Sequence, residues 1–210
     1  MTSMTFKDLY QQLVYIEDEK TLNVMKMGYQ VKASGDETGI LAYGYINKEG
    51  LLCFNVFSLV KLKGEEIVSF NDEPMLNKIN HVIKREDVNN CKALSMELDP
   101  DILLRYLDRS IEINKENHIS EELDLLRSLK ELDDFRHPLY PDEVEAFIYR
   151  PSDNQTQNIW AKAKSVGQGC VLAELVTPVP KDFLYAVGDN LSLKLYDIQG
   201  RLELVNIIEQ

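Results

Sequence analysis

The residues with the strongest claim on chemistry lie in one short stretch, Asp133-Asp134-Phe135-Arg136-His137-Pro138-Leu139-Tyr140-Pro141-Asp142-Glu143. Asp133 and Asp134 fall at the C-terminal end of an expected helix, where the helix dipole disfavours negative charge. Such acids call for a cation: Arg136, His137 or a bound metal. Carboxylates and an imidazole in a proline-shaped loop have the donor types for metal-assisted hydrolysis, with Asp133, Asp134, His137 and Asp142 as the set. The competing account is a solvated hinge in which Arg136 neutralises the acids locally, and it is preferred because acidic helix ends followed by proline are common in connections. A second group is Trp160 with Lys162 and Lys164. Alternate strand residues share a face, so an aromatic ring and two ammonium groups would point the same way, as needed to stack a single-stranded base. The plainer account is a core or rim tryptophan with lysine stems lying along a barrel.

No other catalytic pattern is present. The chain has no H-E-x-x-H, P-loop or G-x-S-x-G, and Gly167-Gln168-Gly169 precedes a strand-like run rather than a helix. His81, His118 and His137 lie in three different contexts. Cys53, Cys91 and Cys170 are too widely spaced for a zinc ribbon or a C-x-x-C redox pair, and Cys53 and Cys170 sit in apolar runs. No metal and no cofactor is expected.

Charge points elsewhere. The 210 residues carry 35 acids and 23 bases, a formal charge of −12. Residues 95–145 hold 15 acids and 6 bases, so −9 of that charge lies in the middle of the chain. Nucleic-acid binding wants clustered lysine and arginine and is disfavoured. An acidic surface formed by Asp101, Asp108, Glu112, Glu121, Asp124 and Glu131 suits a basic protein partner. No apolar run is long enough to span a membrane and no signal peptide is visible, so a soluble cytoplasmic protein is expected. No motif specifies an oligomeric state.

The elements that would hold these residues indicate an α+β chain in three parts: an α+β domain at 1–95 with an antiparallel sheet and flanking helices, an acidic helical hairpin at 96–139, and a small β barrel or curled sheet at 140–210. In the first part a helix is expected over 5–15, then a possible strand at 22–31, a hairpin of 38–46 with 51–60, a strand at 66–70, and a helix over 75–86 that leaves His81 exposed. In the second, Asp99-Pro100-Asp101 starts a helix and Ser120 caps another over 121–134. Leu103, Leu107, Ile111, Leu125, Leu129 and Leu132 should be buried between these two helices, while Ile102, Tyr106 and Ile113 find a different cover. In the third, strands at 144–150, 158–166, 170–177, 190–197 and 201–207 are joined by tight turns. Gly50, Gly167 or Gly169, and Gly200 are the turn glycines.

The third part also has a recognisable texture. Ile159-Trp160-Ala161-Lys162-Ala163, then Gly169-Cys170-Val171-Leu172-Ala173-Glu174-Leu175-Val176-Thr177-Pro178, then Val187-Gly188-Asp189-Asn190-Leu191, resembles the small β domains of uncharacterised bacterial proteins. The resemblance implies a small β fold and brings no catalytic or binding residue. The combined expectation is a non-enzymatic protein-binding module, antitoxin-like or immunity-like, that engages a basic partner.

Overall fold

The computed structural model describes residues 5–28, 32, 35–64, 66–76, 80–88 and 100–208. The protein is α+β, and the chain divides into two compact units at His118/Ile119. The divide falls between the two expected middle helices.

The first unit opens on a single 3-10 turn, Phe6–Asp8, rather than a helix over 5–15. Gln11 adopts a left-handed φ of 56°, which ends the turn, and the β-branched run that follows becomes strand β1 (Leu13–Ile16). Helix α1 (Glu19–Gly28) stands where part of a strand was expected. Asp18 starts it, accepting from the Lys20 backbone N–H at 3.0 Å and from the Thr21 hydroxyl at 3.0 Å. Leu22 and Met25, three apart, give it a buried stripe; the 29–31 end of the expected strand lies outside the described residues.

Strands β2 (Gly39–Ile46), β3 (Leu52–Lys63) and β4 (Glu66–Asn71) follow as expected. Helix α2 (Glu73–Leu76) is short, and the expected 75–86 helix is not continued: β5 (Val82–Lys84) pairs antiparallel with Cys53–Asn55 of β3. Val82 and Ile83 suit both periodicities, and β3 offers Ile83 a buried place beside Phe54. Ile79, the centre of the expected stripe, lies outside the described residues. His81 is half-buried rather than exposed, and burial lowers its pKa below the usual imidazole value. Helix α3 (Pro100–Asn117) closes the unit; its expected cap, Asp99, is outside the described residues, as is Cys91.

The sheet order is β1-β2-β3-β4, with β5 also on β3, all antiparallel. Both faces are covered. Val14, Ile16, Ile40, Ala42 and Phe54 pack with Leu22 and Met25 of α1. Tyr15, Leu41, Tyr43, Tyr45 and Phe57 pack with Tyr106 and Ile113 of α3. Gly44 is required: a Cβ there would sit 2.0 Å from the Leu9 carbonyl oxygen, where the turn after Phe6–Asp8 crosses the sheet.

The second unit begins with α4 (Glu121–Ser128), whose Ser120 hydroxyl accepts from the Leu123 N–H at 3.2 Å. The helix stops short of 134, because Leu129 is extended and a 3-10 turn, Lys130–Phe135, takes over. Then come β6 (Glu143–Arg150), β7 (Gln155–Gly167), β8 (Cys170–Leu175), β9 (Asn190–Ile198) and β10 (Arg201–Ile207), a closed barrel in the order β10-β6-β7-β8-β9. Successive strands alternate in direction. Five is an odd number, so the first and last run the same way and the closing pair, β10 with β6, is parallel through Val205–Ile207. Val144, Ala146, Ile148, Ile159, Ala161 and Leu204 fill the interior, with Leu123, Leu126 and Leu132 capping it. Gly50, Gly169 and Gly200 have positive φ in tight turns, as expected.

The two middle helices thus belong to different units, so the burial expected between them fails, while the separate cover expected for Ile102, Tyr106 and Ile113 is found. Tyr106 and Ile113 are fully buried and Ile102 half-buried against the sheet, whereas Leu103, Leu107 and Ile111 are exposed. Leu125 is exposed and Leu129 half-buried; Leu132 alone of the six is fully buried. Tyr106 decides the orientation of α3. Its ring stacks on Phe57 at 5.3 Å and its hydroxyl donates to Asp72 Oδ1 at 2.8 Å, which neither a leucine nor an isoleucine on the other stripe can match.

Candidate partner-binding surface

The acidic loop is held together by arginines. Both Asp142 oxygens accept from buried Arg127, at 2.9 and 2.7 Å. Arg136, also buried, reaches Asp133 at 3.3 Å and donates to the carbonyls of Pro141 and Leu126. Burial lowers the Arg136 pKa and Asp133 raises it, but a guanidinium keeps its charge. His137 Nδ1 accepts the backbone N–H groups of Leu139 and Tyr140, both at 3.2 Å, and its ring meets Trp160 edge-on at 4.9 Å. Asp134 is exposed. Asp133, Asp134, His137 and Asp142 are therefore not brought to one point, and among the described residues no group of three or more His, Cys, Asp or Glu could hold a metal. The arginines instead clamp α4 and the turn after it to the barrel.

On β7, Ile159, Ala161 and Ala163 face the barrel interior, so Trp160, Lys162 and Lys164 face outward. Trp160 is half-buried beneath His137. Lys164 pairs with Glu174 at 3.1 Å, and Lys162 is flanked in register by Glu143 and Glu174. Three carboxylates, counting Glu145 opposite Trp160, stand beside two lysines. This face offers no basic track for a phosphate backbone.

The expected acidic residues are exposed, but they belong to two units. Glu121, Asp124 and Glu131 lie on the second, and Asp124 is 3.9 Å from Arg127. Asp101, Asp108 and Glu112 lie on α3, with Glu112 paired to Arg109 at 3.0 Å. On α3 these acids flank an apolar stripe. Leu103 (48% exposed), Leu104 (65%), Leu107 (47%) and Ile111 (41%) fall within about 100° of arc that begins beside Tyr106 and Ile113 at Leu103 and ends opposite them at Leu104. Arg105, Arg109 and Lys115 stand among these acids, and Arg105 also reaches Asp72 at 3.3 Å. The stripe was legible as an apolar arc of roughly 200°, wider than one contact needs. Which half would remain open was not.

A groove on the outer face of the barrel went unanticipated. It encloses about 470 Å³ and is lined by Phe147, Tyr149, Tyr196, Ile198, Val205 and Ile207 among others. The available signal was strand parity: Phe147 and Tyr149 alternate with the inward Ala146 and Ile148. Among the described residues no helix is long and apolar enough to cross a membrane. No protein-family model matches the sequence, and neither curated proteins nor solved structures provide a match.

Proposed function

We propose that the chain is a non-enzymatic, cytoplasmic protein-binding module that receives a basic partner on α3. The observation that carries this is the exposed row Leu103, Leu104, Leu107 and Ile111 beside Asp101, Asp108 and Glu112. Apolar side chains ringed by charge supply short-range affinity, while the carboxylates steer a cationic surface toward them. The net charge of −12 over the chain favours a partner rich in lysine or arginine. Neutralisation of such a partner, in the manner of an antitoxin or immunity protein, is the concrete form of this reading.

The test uses the whole chain and a Leu104→Ser/Leu107→Ser variant, both sites being exposed. Basic proteins encoded beside the gene are expected to bind wild type, with an association rate that falls steeply as salt rises, since the screening length shrinks to about 8 Å at physiological strength. The variant should weaken binding at least about tenfold. Equal binding by the variant removes α3 as the site. Self-association of wild type that the same variant abolishes would assign the stripe to a second copy and overturn the basic-partner reading.

A further inference from the structure

Four tyrosines of the first unit pack where α3 meets the sheet, and their hydroxyls are treated differently: Tyr15 donates to the Thr38 carbonyl at 3.0 Å. Tyr106 donates to Asp72 at 2.8 Å. Tyr43 is bonded to the Asn114 carboxamide at 2.9 and 3.2 Å. Tyr45 is 7% exposed, and its hydroxyl has no hydrogen-bond partner among the described residues. Every buried side-chain nitrogen and oxygen among those residues is satisfied, so the Tyr45 oxygen reaches open space. That space is a cleft of about 320 Å³ beside the C-terminal half of α3.

Asn55 opens into the same cleft. It interrupts the apolar run of β3, is 4% exposed, and makes one side-chain hydrogen bond, from Nδ2 to Asn80 Oδ1 at 2.6 Å. A carboxamide has two donors and an acceptor with two lone pairs, so most of its capacity is unspent. A second cavity of about 280 Å³ adjoins the first at Asn55 and Asn80. At the rim Arg109 holds Glu112 at 3.0 Å and Glu116 at 3.7 Å, and the exposed Lys48 and Glu49 carry opposite charges, so no single sign dominates. Burial pushes the Tyr45 hydroxyl up to about 12, so it keeps its proton and remains a donor.

We propose that this cleft is a binding site for a small neutral polyhydroxyl ligand of the saccharide class, gripped by Tyr45, Asn55 and Asn80. The hooks are uncharged, which selects a neutral ligand. Each both donates and accepts, or pairs a donor with an acceptor, which matches adjacent sugar hydroxyls. Tyr45 is the one aromatic residue lining the two cavities and its ring is buried, so a flat base has no ring face to stack on. The site is separate from the open leucine stripe of α3 and stands whether or not that stripe binds a protein.

Ligand-observed NMR on the full chain, with D-glucose, D-galactose, D-ribose and N-acetyl-D-glucosamine at millimolar concentration and uridine as comparator, decides it. At least one sugar should show saturation transfer. Tyr45→Phe and Asn80→Ala should each weaken it by about three- to tenfold, the loss expected for one neutral hydrogen bond. Leu104→Ser/Leu107→Ser should leave it unchanged, which separates this site from the protein-binding surface. Tyr45→Phe loses no protein hydrogen bond, so it must match wild type in its urea midpoint. Silence from all four sugars with folded wild type, transfer to uridine alone, or sugar binding indifferent to Tyr45→Phe would each overturn the proposal.

Discussion

The two units solve burial in different ways. In the first, β2 is buried at every position and β3 through its first nine residues, because α1 covers one face of the sheet and α3 the other. In the second, β6 alternates between half-buried and buried from Glu143 to Tyr149, because the barrel has a single interior. The first unit depends on close two-sided packing. The second has one small core and adds an ionic clamp, with buried Arg127 and Arg136 tying α4 and the following turn to the strands. A doubly covered sheet hides its function at the margins of its helices, whereas a barrel displays an entire outer face.

The largest expected effect is on the clamp. Asp142→Ala leaves Arg127 buried without its bidentate partner and should cost about 3–5 kcal/mol. Trp160, the only tryptophan, lies on the barrel, so its fluorescence during urea unfolding reads this loss directly. An unchanged midpoint would show that the clamp contributes nothing and that the barrel core suffices.

The matching break in the first unit is Gly44→Ala. The new methyl meets a backbone oxygen rather than a movable side chain, and the cost should reach about 3 kcal/mol. Gly169→Ala in the barrel finds open space and suffers only its φ of 73°, roughly 1–2 kcal/mol. Thermal unfolding of the two variants checks the contrast; equal losses would mean that two-sided cover does not make the sheet less tolerant.

A finer series uses the tyrosines beneath α3. Tyr106→Phe removes a bond to a carboxylate and should cost about 1.5–3 kcal/mol, Tyr43→Phe about 1 kcal/mol, and Tyr45→Phe less than about 0.5 kcal/mol. Urea midpoints that do not follow this order would contradict the hydrogen bonding described. The smallest effect belongs to His81, whose pKa burial lowers from the usual 6.5. The unfolded chain then takes up its proton at higher pH than the folded one, so this contribution is intact above about pH 6.5 and is lost as pH falls below it. His81→Gln should flatten the acid side of the stability profile, and a profile identical to wild type would exclude the effect.

The same contrast explains what the sequence made legible. Ile159, Ala161 and Ala163 alternate with Trp160, Lys162 and Lys164, and that period of two located the barrel strands and their turn glycines. The two-faced sheet gives no such alternation, so its strands were recognisable as apolar runs while their cover was not. Val82 and Ile83 fit a helix stripe as well as a strand, and only pairing with β3 separates the two. The wide arc of α3 was visible, yet the choice between its halves rests on Phe57 and Asp72, which the helix meets only in three dimensions. Among the candidate site residues, types were legible and partners were not. Asp142 and Arg127 are fifteen residues apart, and nothing local announces that each is committed to the other. Asn55 did carry a signal, a carboxamide inside a continuous apolar strand.

The parallel seam between β10 and β6 also sets an order of events during synthesis. The sheet of the first unit has all five strands once residue 84 has been made, and α3 follows by residue 117. The barrel instead closes on itself only when Val205–Ile207 reaches Phe147–Tyr149, the last strand against the first. Until then β6 carries an unpaired edge and the interior leucines and alanines lack a wall, the kind of surface that recruits chaperones or neighbouring chains. A nascent chain halted before residue 205 would therefore be the most vulnerable form of this protein, and one halted at 118 among the least.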